Sequence, residues 1–256
     1  MKAVILAGGQ GTRLAEETEV KPKPMIQIGD HPILWHILKH YAHFGIDEFC
    51  IALGYLGDEI KRYFVDRQTL GGSMTVDLCG GTIKRLDLER ETWKVHLVET
   101  GLGSMTGGRV LRLREHLKGG TFLLTYGDGV ADIDIRRLVD FHRAQGLTAT
   151  VTAVRPPARF GGLVFDGDRV ARFSEKPQAG EGWINGGFLV CEPAIFDYLS
   201  GDASVLETDA LEPLAEQGQL AAYKHEGFWQ CMDTLRDKRQ LEALWKSGHA
   251  PWKLWQ

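Results

Sequence analysis

The sequence predicts an α/β protein with a mixed, mostly parallel twisted sheet covered by helices, a small β-rich arm and a C-terminal helical tail. The first observation behind this prediction is that short apolar segments alternate with amphipathic segments as far as residue 154. Parallel strands need long crossover connections, usually helices, so this alternation is typical of them. The second observation is that the chain contains no repeat and no low-complexity linker. We therefore expect a single domain over residues 1–256.

In the first half, each predicted strand is a short apolar run, and each predicted helix has apolar residues three or four positions apart. The predicted strands are Lys2–Ala7, Phe49–Leu53, Thr121–Tyr126 and Thr148–Val154. The predicted helices are Pro32–Phe44, Gly57–Asp66 and Asp134–Gln145. This β-α order predicts helices on both faces of the sheet.

The remaining segments have a different pattern. Strands at Met74–Leu78 and Lys94–Glu99 are predicted around a charged, hairpin-like stretch, Lys84–Trp93. Shorter strands follow Pro156, and the dipeptide Asp166-Gly167 is a strong signal for a two-residue hairpin turn. These strands are Gly162–Phe165, Arg169–Ser174 and Gly187–Val190, and helices are predicted at Leu211–Glu216 and Leu235–Trp245.

Composition and charge exclude several classes of protein. Apolar residues make up 43% of the chain and charged residues 25%, values that exclude a disordered or fibrous chain. The net charge of −4 fits general nucleic-acid or membrane-surface binding poorly, so we expect neither partner. No run approaches the ~18 apolar residues of a membrane span, and the first residues lack a secretory signal pattern.

The four cysteines predict a reducing compartment. None of them forms a C-x-x-C pair, the spacing expected for a zinc or redox motif. Cys50 and Cys191 lie in apolar, strand-like runs and fit small buried side chains. We expect four thiols in a cytoplasmic protein.

A glycine-rich turn, Gly8-Gly9-Gln10-Gly11-Thr12-Arg13, follows the first predicted strand. Ligands of open α/β sheets bind beyond the carboxyl ends of the strands, where glycines let backbone N–H groups approach phosphate oxygens. The Arg13 guanidinium could add a planar phosphate contact. The spacing matches neither a P-loop nor a dinucleotide-binding turn. By itself, the pattern fits a structural turn as well as a phosphate site.

Three charged residues are further candidates. Lys23 lies between Pro22 and Pro24, and each proline stiffens the backbone, so its ammonium group would be held in a set place. Asp128 follows a predicted central strand, and Asp233 precedes the last predicted helix. Mg²⁺ typically takes one or two carboxylates together with substrate phosphates and water. A solvated loop, a tight turn and a helix cap are the corresponding structural explanations.

Polar groups beside glycines or strand ends mark three other segments, each of which fits a turn when taken singly. They are Ser104–Arg109, Glu175-Lys176 and Asn185-Gly186.

Together these segments resemble the signature of the sugar-1-phosphate nucleotidylyltransferases. The resemblance rests first on Leu6–Leu14 followed by Lys21–Met25, because a glycine turn and a proline-flanked lysine rarely recur at this spacing. Later segments resemble the cytidylyltransferase branch of that family. They are Ser104–Arg109, Tyr126–Asp132, Arg159–Gly161, Asn185–Phe188, Phe228–Arg236 and the ending Leu244–Lys253.

The resemblance implies transfer of a cytidylyl group from CTP to α-D-glucose 1-phosphate with Mg²⁺, giving CDP-glucose for the O-antigen of bacterial surface polysaccharide. It implies Arg13, Lys23 and Asp128 as catalytic residues, and Asp128 and Asp233 as metal ligands. The implied nucleotide-binding residues are Leu6, Ala7, Gly8, Gly9, Gln10, Gly11, Thr12, Arg13, Lys23, Ser104, Thr106, Gly108, Arg109 and Asp128. The implied sugar-phosphate residues are Glu175, Lys176, Asn185 and Gly186.

The resemblance also implies a homo-oligomer, a hexamer in this family, with residues 66–93 as the oligomerisation arm. Within the arm, Arg85, Leu86 and Leu88 are the kind of residues that could cross between subunits.

Several alternatives stay open at this point. A uridylyl-, thymidylyl- or guanylyltransferase would use the same fold with another base, and the acceptor could be another phosphorylated metabolite. A non-catalytic sensor of nucleotide-sugars is a more remote alternative. A protein that only binds could lose Asp128 and Asp233, and both are present in this sequence. A glycosidase that uses Glu175 has no support from the spacing of other carboxylates.

Overall fold

The computed structural model describes residues 1–11, 18, 20–86, 91–156, 162–166, 169–174 and 182–255. Its strands, in chain order, are β1 (Ala3–Leu6), β2 (Gln27–Ile28), β3 (His31–Pro32), β4 (Glu48–Leu53), β5 (Ser73–Asp77), β6 (Thr82–Leu86), β7 (Lys94–Glu99), β8 (Phe122–Tyr126), β9 (Gly129–Ala131), β10 (Ala149–Val154), β11 (Gly162–Asp166), β12 (Arg169–Ser174), β13 (Ile184–Cys191), β14 (Leu220–His225) and β15 (Trp229–Cys231).

The main sheet of the described residues has seven strands in the order β14-β10-β13-β8-β1-β4-β7. Strand β1 pairs in parallel with β8 and β4, so that Ile5 lies beside Thr125 on one side and Ile51 on the other. The pairs β4–β7 and β10–β14 are also parallel, and β13 alone runs antiparallel to its neighbours. The prediction of a mixed, mostly parallel sheet is therefore confirmed.

Helices cover both faces of this sheet. The α-helices are α1 (Ile33–His43), α2 (Gly57–Leu70), α3 (Thr106–Arg112), α4 (Arg114–Leu117), α5 (Ile135–Gln145), α6 (Glu212–Glu216) and α7 (Leu235–Lys246). Because side chains alternate along a strand, Ile5 of β1 packs with the buried face of α1, whereas Val4 packs on the opposite side with α3. The two resulting apolar layers hold the carboxyl ends of β1 and β8 in fixed positions.

Two of the predicted elements need correction. The hairpin of the arm turns between β5 and β6, at residues 78–81, and the predicted hairpin-like stretch Lys84–Trp93 begins within its second strand. Residues 87–90, including Leu88, lie outside the described residues. The segment predicted as the helix Leu211–Glu216 begins earlier, with a π-helical turn at Leu206–Leu211 that continues into α6.

The other hairpin prediction is confirmed. Strands β11 and β12 pair antiparallel with Asp166 opposite Arg169, as a two-residue turn requires.

The C-terminal tail packs back onto the first helix. Helix α7 begins with a capping box in which Thr234 and Asp237 satisfy each other's backbone N–H groups. Trp252 is fully buried and donates a 3.3 Å hydrogen bond from its indole nitrogen to Nδ1 of His36 on α1. Because Thr234 caps the helix, the cap role considered for Asp233 is wrong.

The described residues include no helix that is both long and apolar enough to cross a membrane. All four cysteines lie among them, and each is a thiol.

Candidate active site

A cavity of about 400 Å³ opens at the carboxyl ends of β1 and β8. It brings together many of the residues that the sequence singles out, although they come from four distant parts of the chain. Those residues are Leu6, Ala7, Gly8, Gly9, Gly11, Lys23, Ser104, Thr106, Arg109, Asp128 and Asp233. Their convergence places the cavity where ligands of open α/β sheets bind.

Lys23 lines this cavity from a short 3₁₀ turn, Lys23–Met25, that begins after Pro22. Its ammonium nitrogen lies 2.7 Å from Oδ2 of Asp128 and 2.5 Å from Oδ1 of Asp233. Burial lowers the pKa of Lys23, but the two carboxylates outweigh burial and raise the pKa above its ordinary value. Lys23 is therefore a fixed cation with 12% of its side chain exposed, and the solvated-loop explanation is wrong.

The two aspartates are brought together by a second, small sheet. Asp128 lies between β8 and β9, and β9 pairs antiparallel with β15, which ends at Cys231. The Met232 backbone N–H also donates to the Asp128 carbonyl at 2.8 Å. This pairing places Asp233 beside Asp128 although 105 residues separate them in the chain.

Arg109 lines the cavity, but its guanidinium is directed at the protein. It donates to the carbonyl oxygens of Leu53 and Gly8 at 3.0 Å and of Gly101 at 2.9 Å, and to the Thr100 hydroxyl at 2.8 Å. Burial lowers the pKa of this group, which is 5% exposed. The geometry indicates that Arg109 ties the glycine turn to neighbouring strand ends.

The same contact explains why the glycine turn needs glycine at its first position. A Cβ atom added to Gly8 would lie 2.2 Å from the Arg109 guanidinium. Position 108 also requires glycine, because a Cβ atom added to Gly108 would lie 2.3 Å from the backbone oxygen of Asp202. Gly108 does not line the cavity, and the exposed Gln10 does not line it either.

A smaller cavity of about 50 Å³ adjoins the first and contains Asn185 and Gly186. Tyr126 and Asp128 line both cavities and form the boundary between them. Gly186 accepts a 2.7 Å hydrogen bond from the indole nitrogen of Trp229, and the Asn185 amide oxygen accepts one of 2.9 Å from the Gly187 backbone N–H. The sugar-phosphate residues implied for this side therefore lie next to the aspartate pair.

The remaining predicted residues, Thr12, Arg13, Glu175 and Lys176, lie outside the described residues.

Sequence reasoning missed the role of Tyr126 and its partner Glu207 in this site. The Tyr126 hydroxyl donates a hydrogen bond to the Glu207 carboxylate, which also accepts a 2.8 Å hydrogen bond from the Thr106 hydroxyl. The position of Tyr126 at a strand end, directly before Gly127-Asp128, was the signal that could have found it.

Comparison with known proteins identifies the family. The family model described as nucleotidyl transferase matches residues 2–243. The chain belongs to the nucleotidyl transferase family. A glucose-1-phosphate cytidylyltransferase of Salmonella typhi is 51% identical over 257 aligned residues, which cover 100% of both chains. A probable glucose-1-phosphate cytidylyltransferase of Bacillus subtilis (strain 168) is 43% identical, again over 100% of both chains.

A solved structure supports the fold. The crystal structure of HddC from Yersinia pseudotuberculosis matches with a TM-score of 0.71 at 21% identity, covering 95% of this chain and 99% of that one. The two chains therefore share one fold across nearly their whole lengths.

Proposed function

We propose that this chain transfers the cytidylyl group of CTP to α-D-glucose 1-phosphate, giving CDP-glucose and pyrophosphate. The observation that carries the proposal is full-length identity of 51% and 43% to cytidylyltransferases for this sugar phosphate. The cavity supports it, because a fixed lysine and two carboxylates converge in one place, as a reaction between a triphosphate and a second phosphate requires.

The reaction needs positioning and positive charge more than it needs a base. A phosphate oxygen of glucose 1-phosphate forms a bond to the α-phosphorus of CTP, and the bond from that phosphorus to the bridging oxygen of the β-phosphate breaks. The second pKa of a phosphate monoester is about 6, so the attacking oxygen is already ionised at neutral pH. The main barrier is repulsion between two polyanions that must be brought into line.

Lys23 supplies a positive charge for this alignment. Its position between Asp128 and Asp233 holds the ammonium in the cavity that we propose for the phosphates. We propose that Lys23 contacts the phosphates of CTP, and that Arg13, at the end of the glycine turn, acts with it. The glycine turn, together with Ser104 and Thr106, would enclose the nucleotide.

Asp128 and Asp233 fit a divalent cation, since their carboxylates already converge on one cationic group, the Lys23 ammonium. Enzymes of this family generally use such a cation, and we propose Mg²⁺. Two carboxylates suffice for this ion, because Mg²⁺ typically takes one or two carboxylates together with substrate phosphates and water. When bound, the ion would neutralise charge on the reacting phosphates.

We propose that the sugar phosphate lies on the Asn185 side of Asp128. The support is that Asn185 and Gly186 line the smaller cavity, with Asp128 on the shared boundary. Glu175 and Lys176 stay part of this proposal by resemblance. The positive charge of Lys176 would offset the negative charge of the incoming phosphate.

We propose that the protein is a homo-oligomer, a hexamer by resemblance, in which the hairpin β5–β6 contacts another copy. Apolar side chains on this hairpin are exposed to solvent, with Leu78 at 91%, Ile83 at 63% and Leu86 at 52%. An isolated two-stranded hairpin is marginally stable in water, so a hairpin with these side chains favours a partner surface.

A cytoplasmic location is part of the same proposal. Its support is the four thiols, since paired cysteines are the mark of oxidising compartments.

The proposed reaction is tested by pyrophosphate release from purified protein with glucose 1-phosphate and Mg²⁺, in parallel reactions with CTP, UTP, dTTP, GTP and ATP. We expect strong preference for CTP. Preference for UTP would favour the activity of a more distant relative, the 31% identical uridylyltransferase of Synechocystis sp.. No release with any nucleotide, while nucleotide binding persists, would favour another acceptor or a sensor.

A further inference from the structure

Glu207 is a carboxylate beside the active site to which the proposed reaction gives no role. It lies in the π-helical turn Leu206–Leu211, and π-helical turns occur frequently at functional sites. The turn is fastened to helix α3 because the Leu206 backbone N–H donates to the Thr106 hydroxyl oxygen at 2.9 Å. Glu207 lines neither cavity itself, but it holds two side chains that do.

The two side chains are Tyr126 and Thr106, and both give their hydroxyl protons to the Glu207 carboxylate. Each hydroxyl has a single proton to donate, whereas an ionised carboxylate can only accept. The protons of both hydroxyls are therefore directed away from any ligand.

The consequence differs for the two hydroxyls. Thr106 already accepts the N–H of Leu206, so one of the two acceptor positions on its oxygen is used. Tyr126 lies on the boundary between the two cavities, where the Asn185 side chain also approaches its hydroxyl, and its oxygen can offer a ligand only the acceptor capacity that remains. The matching ligand group is a hydrogen-bond donor.

We propose that Glu207 is a positioning residue that holds Tyr126 as a hydrogen-bond acceptor for a sugar hydroxyl of the bound substrates. This inference rests on the proposed function, in which both substrates carry sugars: the ribose of CTP and the hexose of glucose 1-phosphate. Hydroxyl donation is the chemistry that the two sugars share. The position of Tyr126 next to Asp128, where the two substrates meet, allows either source.

The test compares Tyr126→Phe, Glu207→Gln and the double variant with the unmodified chain. Glu212→Gln is the matched control, because Glu212 is an exposed glutamate farther along the same helical segment. KM and kcat are measured with the nucleotide and sugar phosphate that give the highest turnover with the unmodified chain. Thermal melting confirms that each variant is folded.

For Tyr126→Phe and for Glu207→Gln we expect KM for one substrate to rise about 3- to 10-fold, the scale of one hydrogen bond, with kcat within about twofold. The double variant should lose no more than Tyr126→Phe alone, because Glu207 acts through Tyr126. A general loss of stability would instead change the kinetic constants for both substrates. The effects of the two single substitutions would then add in the double variant.

Deoxy analogues identify the source of the hydroxyl. If the ribose donates, the penalty of Tyr126→Phe disappears with 2′-deoxy-CTP; if the hexose donates, it disappears with a deoxyglucose 1-phosphate. Either result supports the proposal.

Unchanged KM values in folded Tyr126→Phe and Glu207→Gln, in an unmodified chain that turns over, would overturn the role of Glu207 and leave the proposed reaction standing. An unmodified chain that turns over no substrate pair would instead overturn the reaction and this inference with it.

Discussion

The ammonium nitrogen of Lys23 lies 2.7 Å from a carboxylate oxygen of Asp128, although the two residues are 105 positions apart in the chain. Asp233 approaches the same ammonium from a third segment at 2.5 Å. Each carboxylate therefore faces the other across a single positive charge. Removing any one of the three groups changes the charge balance at the place where the phosphates are proposed to react.

The aspartate pair is tested by Asp128→Asn and Asp233→Asn. Each change removes one negative charge while keeping the shape of the side chain, so we expect a fall in kcat of about 10²-fold or more. Half-maximal turnover should also require a higher Mg²⁺ concentration. Circular dichroism should be unchanged, and Asp140→Asn, at an exposed position of α5, is the control. A normal Mg²⁺ response would remove the substituted residue from the metal site.

Arg109→Lys is expected to destabilise the fold. A lysine ammonium cannot reproduce the planar set of donors that contacts Gly8, Leu53 and Thr100 in a buried place. Leaving such groups unpaired costs about 1–3 kcal/mol each, and we expect a total loss of about 2–4 kcal/mol in the free energy of unfolding. Urea denaturation measures it.

Arg112→Lys is the matched control for that experiment. Arg112 lies on the same helix and pairs with Asp202 at 2.6 Å, but this pair is exposed. Exposed ion pairs contribute about 0–1 kcal/mol, so the control should lose little stability. Equal losses for the two variants would contradict the structural role assigned to Arg109.

Two histidines of helix α1 should make the fold sensitive to acid. Burial lowers the pKa of His36 and of His40 to about 4, against an ordinary value of 6.5. Between these values the unfolded chain binds protons that the folded chain does not. The contribution of the two neutral histidines to the free energy of unfolding is therefore fully present above pH 6.5. It falls as the pH decreases towards 4, by about 2–3 kcal/mol for each histidine near pH 4.5.

His40→Phe tests this pH dependence, since phenylalanine fills the aromatic surroundings of His40 without a titrating group. We expect a smaller slope of unfolding free energy against pH between 6.5 and 4.5. His43→Gln, at an exposed position of the same helix, should keep the original slope. An unchanged slope in His40→Phe would exclude His40 as a source of the acid sensitivity.

The proposed oligomer is tested on the hairpin β5–β6. A charge at Leu78 or Ile83 would be costly to bury between copies, so Leu78→Glu and Ile83→Glu should yield smaller particles in light scattering after size-exclusion chromatography. Val170→Glu is the control, because Val170 is a 51% exposed apolar residue on the other hairpin. The same mass for all variants would show that the arm does not join subunits.

Much of the sheet could be predicted because its strands are local apolar runs. Strand β4 and helix α5, for example, differ from their predicted bounds by one residue at one end only. The convergence of Asp128 and Asp233 could be inferred only through resemblance, since it depends on the β9–β15 pairing across about 100 residues.

The roles of Arg109 and Glu207 were outside the reach of sequence patterns. The acceptors of Arg109 come from three segments that meet only in the folded chain, whereas the sequence assigned this arginine to the nucleotide site by resemblance alone. The π-helical turn that carries Glu207 has no local sequence signal that separates it from an ordinary helix. Glu207 can be recognised as a candidate only from its contacts to Tyr126 and Thr106 in the folded chain.

A comparison of two neighbouring lysines tests most directly whether Lys23 is a catalytic cation. Lys21 and Lys23 flank Pro22, but Lys21 is exposed, whereas Lys23 lies between Asp128 and Asp233. We expect Lys23→Ala to lower kcat for CDP-glucose formation about 10²–10³-fold, and Lys21→Ala to leave it within about twofold. Equal kcat values for Lys23→Ala and the unmodified chain would contradict a catalytic role for Lys23.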